Sequence, residues 1–188
     1  VSQKLGILYL DTGAMYRAVA LKALENNMDP NDTQGVLSLL KDTRIDIKYI
    51  DETQHVLLDG KDVSEDIRRH CVSQAASDIS KIKQVRMMLV KMQREIAKNN
   101  DIVMDGRDIG SFVLPDAKYK FYVDALPEER AKRRLLQLRE KGQDENYDDI
   151  LCSIIARDEN DKNRDFAPLV KADDAVYIDT TNLTIDEV

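Results

Sequence analysis

Three compact apolar runs, Ile102-Val103-Met104, Lys120-Phe121-Tyr122-Val123 and Ala175-Val176-Tyr177-Ile178, are separated by long charged stretches with helical character. Short strands spaced by helix-length segments cannot pair as hairpins. Their connections cross over, which predicts a parallel sheet with right-handed crossovers and an α/β fold. The N-terminal part repeats the pattern. Ile7-Leu8-Tyr9-Leu10 ends at Asp11-Thr12-Gly13, and residues 14–26 have helical periodicity, so this reads as strand, turn and helix. Asp29-Pro30-Asn31-Asp32 breaks it, and Asp32 or Thr33 caps a second short helix through Leu40. The character then changes. Ile45-Asp46-Ile47-Lys48-Tyr49 alternates at period two and His55-Val56-Leu57-Leu58-Asp59-Gly60 follows a polar turn, as in a small antiparallel hairpin inserted into the α/β frame. From Ser64 to Ala97 the pattern is helical, with Ile79, Ile82, Val85, Met88, Leu89, Met92 and Ile96 as expected core. Pro127-Glu128-Glu129 opens a helix that Lys141-Gly142-Gln143 stops, and another charged helix runs roughly from Asp148 to Asn163.

The 188 residues suit one domain with a real core. A net charge of −7 with no block of Lys or Arg repels nucleic acid and acidic membranes, so local arginine clusters matter more than the overall field. Cys71 and Cys152 are far apart in sequence, and His55 and His70 fall in no zinc spacing, so the expectation is reduced thiols without a redox role and no metal centre. No stretch approaches membrane-spanning length and the N-terminus lacks a signal-peptide pattern; a cytoplasmic protein is expected.

Chemistry concentrates at a few places. Asp105-Gly106-Arg107-Asp108 sets opposite charges at the end of the run Ile102-Val103-Met104, and parallel sheets bind ligands at the carboxyl ends of their strands. Taken alone, the tetrapeptide also reads as an exposed turn held by an ion pair. Asp11-Thr12-Gly13-Ala14-Met15-Tyr16-Arg17 opens a helix whose free N–H groups attract an anion, or else Asp11 or Thr12 is merely its cap. Arg157, Asp161 and Arg164, spaced by four and three, place a carboxylate between two guanidinium groups on one helix face; a solvated ladder of ion pairs reads the same way. Arg130, Arg133 and Arg134 come from the preceding helix, and an antiparallel helix pair would gather guanidinium groups suited to phosphate oxygens. Ser77 and Arg86, polar among apolar positions, read in isolation as surface residues.

In combination and in order, these motifs resemble the bacterial cytidylate kinases, nucleoside monophosphate kinases of the P-loop class. The motifs that carry the likeness, which covers essentially the whole chain, are Asp11-Thr-Gly-Ala-Met-Tyr-Arg17, Asp62-Val-Ser-Glu-Asp-Ile-Arg68, Ala75-Ala76-Ser77, Asp105-Gly-Arg-Asp-Ile-Gly110 and Glu129-Arg-Ala-Lys-Arg-Arg134. Arg157-Asp-Glu-Asn-Asp-Lys-Asn-Arg164 with Ala167-Pro168-Leu169 completes the set. The resemblance implies a three-layer α/β P-loop fold with a parallel central sheet. Residues 1–36 and 100–188 would form the core with a helical lid near 128–165, and residues 37–99 an inserted nucleotide-binding subdomain.

The resemblance further implies transfer of the γ-phosphate of ATP, with Mg²⁺, to CMP or dCMP; a cytoplasmic monomer that binds neither nucleic acid nor membrane is the expectation beside it. Cytosine offers O2 and N3 as acceptors and its 4-amino group as donor, a demand that Arg86 and Asp108 meet with Ser77 assisting. Uracil would set a carbonyl against Asp108, so discrimination against UMP follows. Arg17, Arg107 and Arg164 would hold the acceptor phosphate, Arg157 and Asp161 would reach the sugar, and Thr12 and Tyr16 would line the site. Arg107, Arg157 and Arg164 are the catalytic candidates. Arg133 and Arg134, with the segment from Gly142 to Tyr147, would form the lid over the donor, offsetting charge in the phosphoryl transition state; no protein metal ligand is assigned.

The chain contains no Gly-x-x-x-x-Gly-Lys-Ser/Thr, the loop that cradles donor phosphates. The resemblance places that loop just before Val1, with the strand at the middle of the sheet, whose omission would leave two open pairing edges. Val1 to Leu5 read as the end of the helix that follows the loop, and Leu183 to Val188 as the first turn of an unfinished helix. The expectation is a segment of a longer natural chain. The alternatives are a catalytically silent cytidine-nucleotide-binding module, if that loop is truly lacking, and a kinase for UMP or another small acceptor.

Overall fold

The computed structural model describes residues 1–51, 53–140 and 142–188; Lys141 of the expected helix stop lies outside them. The chain divides into two compact units, Val1–Ile109 and Gly110–Val188.

In the first unit, a short helix α1 (Ser2–Leu5) precedes β1 (Leu8–Asp11), which pairs in parallel with β5 (Ile102–Asp105) in the register Leu8 to Ile102 through Asp11 to Asp105. The two strands therefore end side by side on carboxylates. Helix α2 (Thr12–Glu25) starts directly from β1. Its N-cap is Asp11, whose side chain accepts from the Ala14 N–H. Nine of its side chains are buried, including Met15, Val19 and Leu21, which makes it the central helix of the unit. Asp32 caps α3 (Thr33–Leu40) by accepting from the Gly35 N–H at 3.1 Å, as its position just before the apolar run requires.

The hairpin forms from β2 (Ile45–Ile50) and β3 (Thr53–Leu58), antiparallel with Ile47 opposite Val56, and a two-residue β4 (Lys61–Asp62) extends it. Beyond a 3-10 turn at Asp66–Arg68, the long helical stretch divides into α4 (His70–Ile79) and α5 (Lys83–Lys98). The Ser80 hydroxyl donates to the Ser77 carbonyl at 2.8 Å and Ile82 is extended, with ψ at 110°, so the continuous periodicity hides a corner. The expected core positions fall where the period puts them: Ile79, Val85 and Leu89 are fully buried, Ile82 nearly so, and Met88, Met92 and Ile96 pack against the same cluster.

The second unit holds the other parallel pair, β6 (Phe121–Asp124) with β7 (Val176–Asp179), and the helices α6 (Pro127–Glu140) and α7 (Tyr147–Asn163). Asn146 caps α7, accepting from the Asp148 N–H at 2.7 Å. The α6–α7 core is small: Ala131, Leu138 and Ile150 are buried, with Leu135, Tyr147, Leu151 and Ile154 packed around them. Arg130 joins the two helices through both carboxylate oxygens of Asp158, at 3.1 and 2.5 Å. Mixed α/β architecture with parallel strands and intervening helices is thus what the sequence pattern called for. No helix among the described residues is long and apolar enough to cross a membrane.

Candidate functional site

The first unit brings most of the expected base-reading residues together. Arg86, on the buried stripe of α5 with Val85, Leu89 and Val90, is 1% exposed, and its Nη2 donates to Asp108 Oδ2 at 2.5 Å. A guanidinium buried this deeply is tolerable only because a carboxylate faces it; removing one member of such a pair costs about 3–5 kcal/mol. Nη1 donates to the Ser80 carbonyl at 3.2 Å, and the guanidinium lies 5.4 Å from the centroid of the Tyr16 ring. Ser77 sits on α4, buried at 5%, and is tied to the same corner through the Ser80 hydroxyl. Two buried polar atoms here, Ser77 Oγ and Arg86 Nε, have no hydrogen-bond partner among the described residues. Unpartnered buried groups are costly, and these two keep hydrogen-bonding capacity that the described residues do not use. Ser77 and Arg86 are therefore not surface residues. They belong to different helices, α4 and α5, and face inward where these meet at the corner.

Around the ends of β1 and β5, Thr12 is buried and its hydroxyl donates to the Asp105 carbonyl at 2.8 Å. Gly106 permits this closeness, since a Cβ there would collide with Thr12 Oγ1 and the Ile109 side chain. Arg17 folds back over the first turn of α2 and donates from Nη2 to Asp11 Oδ2 at 2.6 Å. Gly13 leaves the space for it, because a Cβ would lie 3.0 Å from Arg17 Nη1. Asp11 is consequently both the cap of α2 and the anchor of Arg17. Arg107 is exposed on the turn between Gly106 and the buried Asp108. Three participants were not singled out from the sequence. Tyr9 donates its hydroxyl to Asp105 Oδ2 at 2.8 Å, and burial, then the Asp105 charge, pushes its pKa well above the ordinary tyrosine value. Gln54 of β3 bonds both backbone groups of Asp11. Asp105 itself was visible only as part of its motif.

In the second unit, Asp161 and Arg164 are 4% and 9% exposed, so the arginine–aspartate series is no solvated ladder. Asp161 Oδ1 accepts from Arg164 Nη1 at 3.3 Å, and Arg157 Nε lies 3.9 Å from Oδ2. Arg164 is not on the helix but caps its end with extended backbone. The Ala167-Pro168-Leu169 motif returns to hold it: the Ala167 carbonyl accepts from Arg164 Nε and the Leu169 N–H donates to the Asp161 carbonyl, both at 2.7 Å. Ala167 adopts φ 49°, a conformation that costs a non-glycine residue energy and recurs at functional sites. Arg133 places Nη2 2.6 Å from the Thr180 carbonyl, with Thr181 and Leu183 carbonyls farther out, and Arg134 is half-buried beside it on α6. Cys71 and Cys152 are free and exposed.

A buried guanidinium–carboxylate pair with open polar atoms suits a heterocycle that carries both acceptors and an amine, and arginines at a helix start and a helix end suit phosphate. Comparison with known proteins identifies the family. The family model described as cytidylate kinase matches residues 1–188. The chain is 53% identical to the cytidylate kinase of Caldicellulosiruptor bescii over 188 residues, all of this chain and 83% of the relative. It is 47% identical to that of Clostridioides difficile, covering 85% of the relative, and 48% identical to that of Bacillus pumilus, covering 84%, again over the whole of this chain. The family model matches the chain from end to end, and relatives about half identical to it cover it completely; the chain belongs to the cytidylate kinase family.

Proposed function

We propose that this member of the family transfers the γ-phosphate of ATP, taken as its Mg²⁺ complex, to CMP or dCMP, giving CDP or dCDP and ADP. The observation that carries the substrate reading is the buried pair of Arg86 and Asp108, with Ser77 Oγ and Arg86 Nε open beside it. Arg86 donates to cytosine O2 or N3 and Asp108 accepts from the 4-amino group, with the Ser77 hydroxyl completing the contact. Uracil presents a carbonyl to Asp108, an unpaired meeting of two acceptors in a buried site.

Thr12 and Tyr16 line this region, while Arg17 and Arg107 of the first unit take the acceptor phosphate. In the second unit, Arg164 serves the phosphate and Arg157 with Asp161 serves the sugar. Arg133 and Arg134 act with the Gly142–Tyr147 segment on the donor side, as a lid within residues 128–165. Residues 37–99 form the nucleotide-binding insert, and the rest the core. Phosphoryl transfer needs little covalent help from the protein; its barrier falls when arginines stay charged and aimed at the transferring group. Mg²⁺ travels with the donor and neutralises charge on its phosphates; no protein ligand is assigned to it. A cytoplasmic, monomeric enzyme completes the reading.

Turnover by the full-length encoded protein with ATP, Mg²⁺ and each of CMP, dCMP, UMP and AMP tests it. CMP and dCMP are expected to be used with kcat/KM at least about 100-fold above UMP and AMP. Comparable use of UMP would refute the base assignment.

A further inference from the structure

Gln54 lies at the beginning of β3, in the hairpin, yet its side chain acts at the end of β1. Its Oε1 accepts from the Asp11 N–H at 2.7 Å, and its Nε2 donates to the Asp11 carbonyl at 3.2 Å. One carboxamide thus satisfies both backbone groups of a single residue, as a neighbouring strand would. That residue is the hinge between β1 and α2. It is also the only described contact of Arg17 to a carboxylate: Asp11 Oδ1 accepts from the Ala14 N–H at 3.1 Å and Oδ2 from Arg17 Nη2 at 2.6 Å. The chain of support is therefore continuous. Gln54 fixes the Asp11 peptide, the fixed peptide and the cap bond fix the Asp11 carboxylate, and the carboxylate sets the direction of the Arg17 guanidinium.

We propose that Gln54 is a positioning residue for the acceptor phosphate, acting from the inserted hairpin through Asp11 on Arg17. The proposal rests on the assignment of Arg17 to that phosphate. A guanidinium recognises phosphate through a planar fork, so the angle at which it is presented matters as much as its charge. Asp11 engages the fork through Nη2, and that contact orients the remaining N–H groups. Without Gln54 the Asp11 peptide loses both partners on that side, and the fork loses its fixed aim although no group that touches substrate has changed. Small misplacements of such groups are expensive in rate and affinity.

The test uses the full-length encoded protein with Gln54→Ala, Gln54→Glu, Arg17→Gln and the double variant Gln54→Ala with Arg17→Gln. Gln54→Ala is expected to raise KM for CMP about tenfold, with KM for ATP within about twofold and kcat within about threefold, the signature of lost acceptor binding. Gln54→Glu keeps the bond from the Asp11 N–H and loses the one to its carbonyl, so a rise of about threefold is expected and serves should the alanine variant fold poorly. Arg17→Gln is expected to raise KM for CMP on the order of 100-fold, and adding Gln54→Ala to it should change little, because coupled residues are not additive. Additive effects in the double variant would overturn the proposal while leaving Arg17 on the phosphate. An unchanged KM for CMP in both Gln54 variants, or KM for ATP rising in step, would also overturn it. If Arg17→Gln itself leaves KM for CMP unchanged, the phosphate assignment fails and the Gln54 route falls with it.

Discussion

The first unit holds Arg86 at 1% exposure on a core that runs from Leu10 to Leu89, whereas the second holds Arg164 at the end of a helix pair whose buried centre is Ala131, Leu138 and Ile150. The same chemical pairing of arginine with aspartate is thus supported in two ways. Around Arg86 and Asp108, packing supplies the precision. Around Arg157, Asp161 and Arg164, backbone carbonyls and ion pairs supply it, with Arg130 and Asp158 joining the helices. A tightly packed support suits discrimination between bases that differ by one group, because any mismatch must be met without relaxation. A support made of polar contacts on a small core suits residues that must change partners during turnover.

The contrast breaks first if the two cores respond alike to truncation. Leu89→Ala is expected to cost about 4 kcal/mol and Leu138→Ala about 2 kcal/mol, since the smaller cluster loses fewer packing neighbours and collapses more readily. Urea unfolding of each variant measures both, and equal losses would contradict the difference in packing. Arg164→Lys keeps the charge but cannot reach both the Ala167 carbonyl and Asp161, so kcat/KM for CMP should fall about 30-fold with the CMP-over-UMP preference preserved. A changed preference would place base recognition in the second unit as well. Arg130→Gln removes a half-buried bidentate pair and should destabilise the α6–α7 pair by about 1 kcal/mol, seen as faster amide exchange in those helices with α5 unchanged. Raised salt should shrink that difference.

The smallest effect concerns the hairpin. The Ser64 hydroxyl and amide, followed by the His55 ring, hold the Asp62 carboxyl at about 2 against its ordinary 3.8. A carboxyl whose folded pKa is depressed adds stability above its unfolded value and loses it as pH falls through the folded one. Stability should therefore decline between about pH 4 and about pH 2, and Asp62→Asn should flatten that part of the acid profile while leaving pH 7 kinetics alone. A profile unchanged by Asp62→Asn would show the Ser64 contacts to be inconsequential.

Periodicity and end signals located the elements because they report local physics. Asp32 before an apolar run caps a helix, and Pro127 opens one, whatever the tertiary setting. The corner at Ser80 to Ile82 escaped because apolar spacing continues through it, although the extended backbone of Ile82 and the Ser80 hydroxyl on the Ser77 carbonyl mark the break. The burial of Ser77 and Arg86 depends on that corner. Gln54 was invisible for a different reason. Its partner Asp11 lies 43 residues away in sequence, and a glutamine in an alternating strand carries no mark of what it touches.

The measurement that bears most directly on the central claim is the ratio of kcat/KM for CMP to that for UMP in the full-length protein and in Asp108→Asn. If Asp108 reads the 4-amino group, the substitution should lower kcat/KM for CMP about 100-fold or more and reduce the ratio at least about 30-fold. A ratio that stays the same or rises in favour of CMP would contradict the assignment and move base recognition away from the buried Arg86–Asp108 pair.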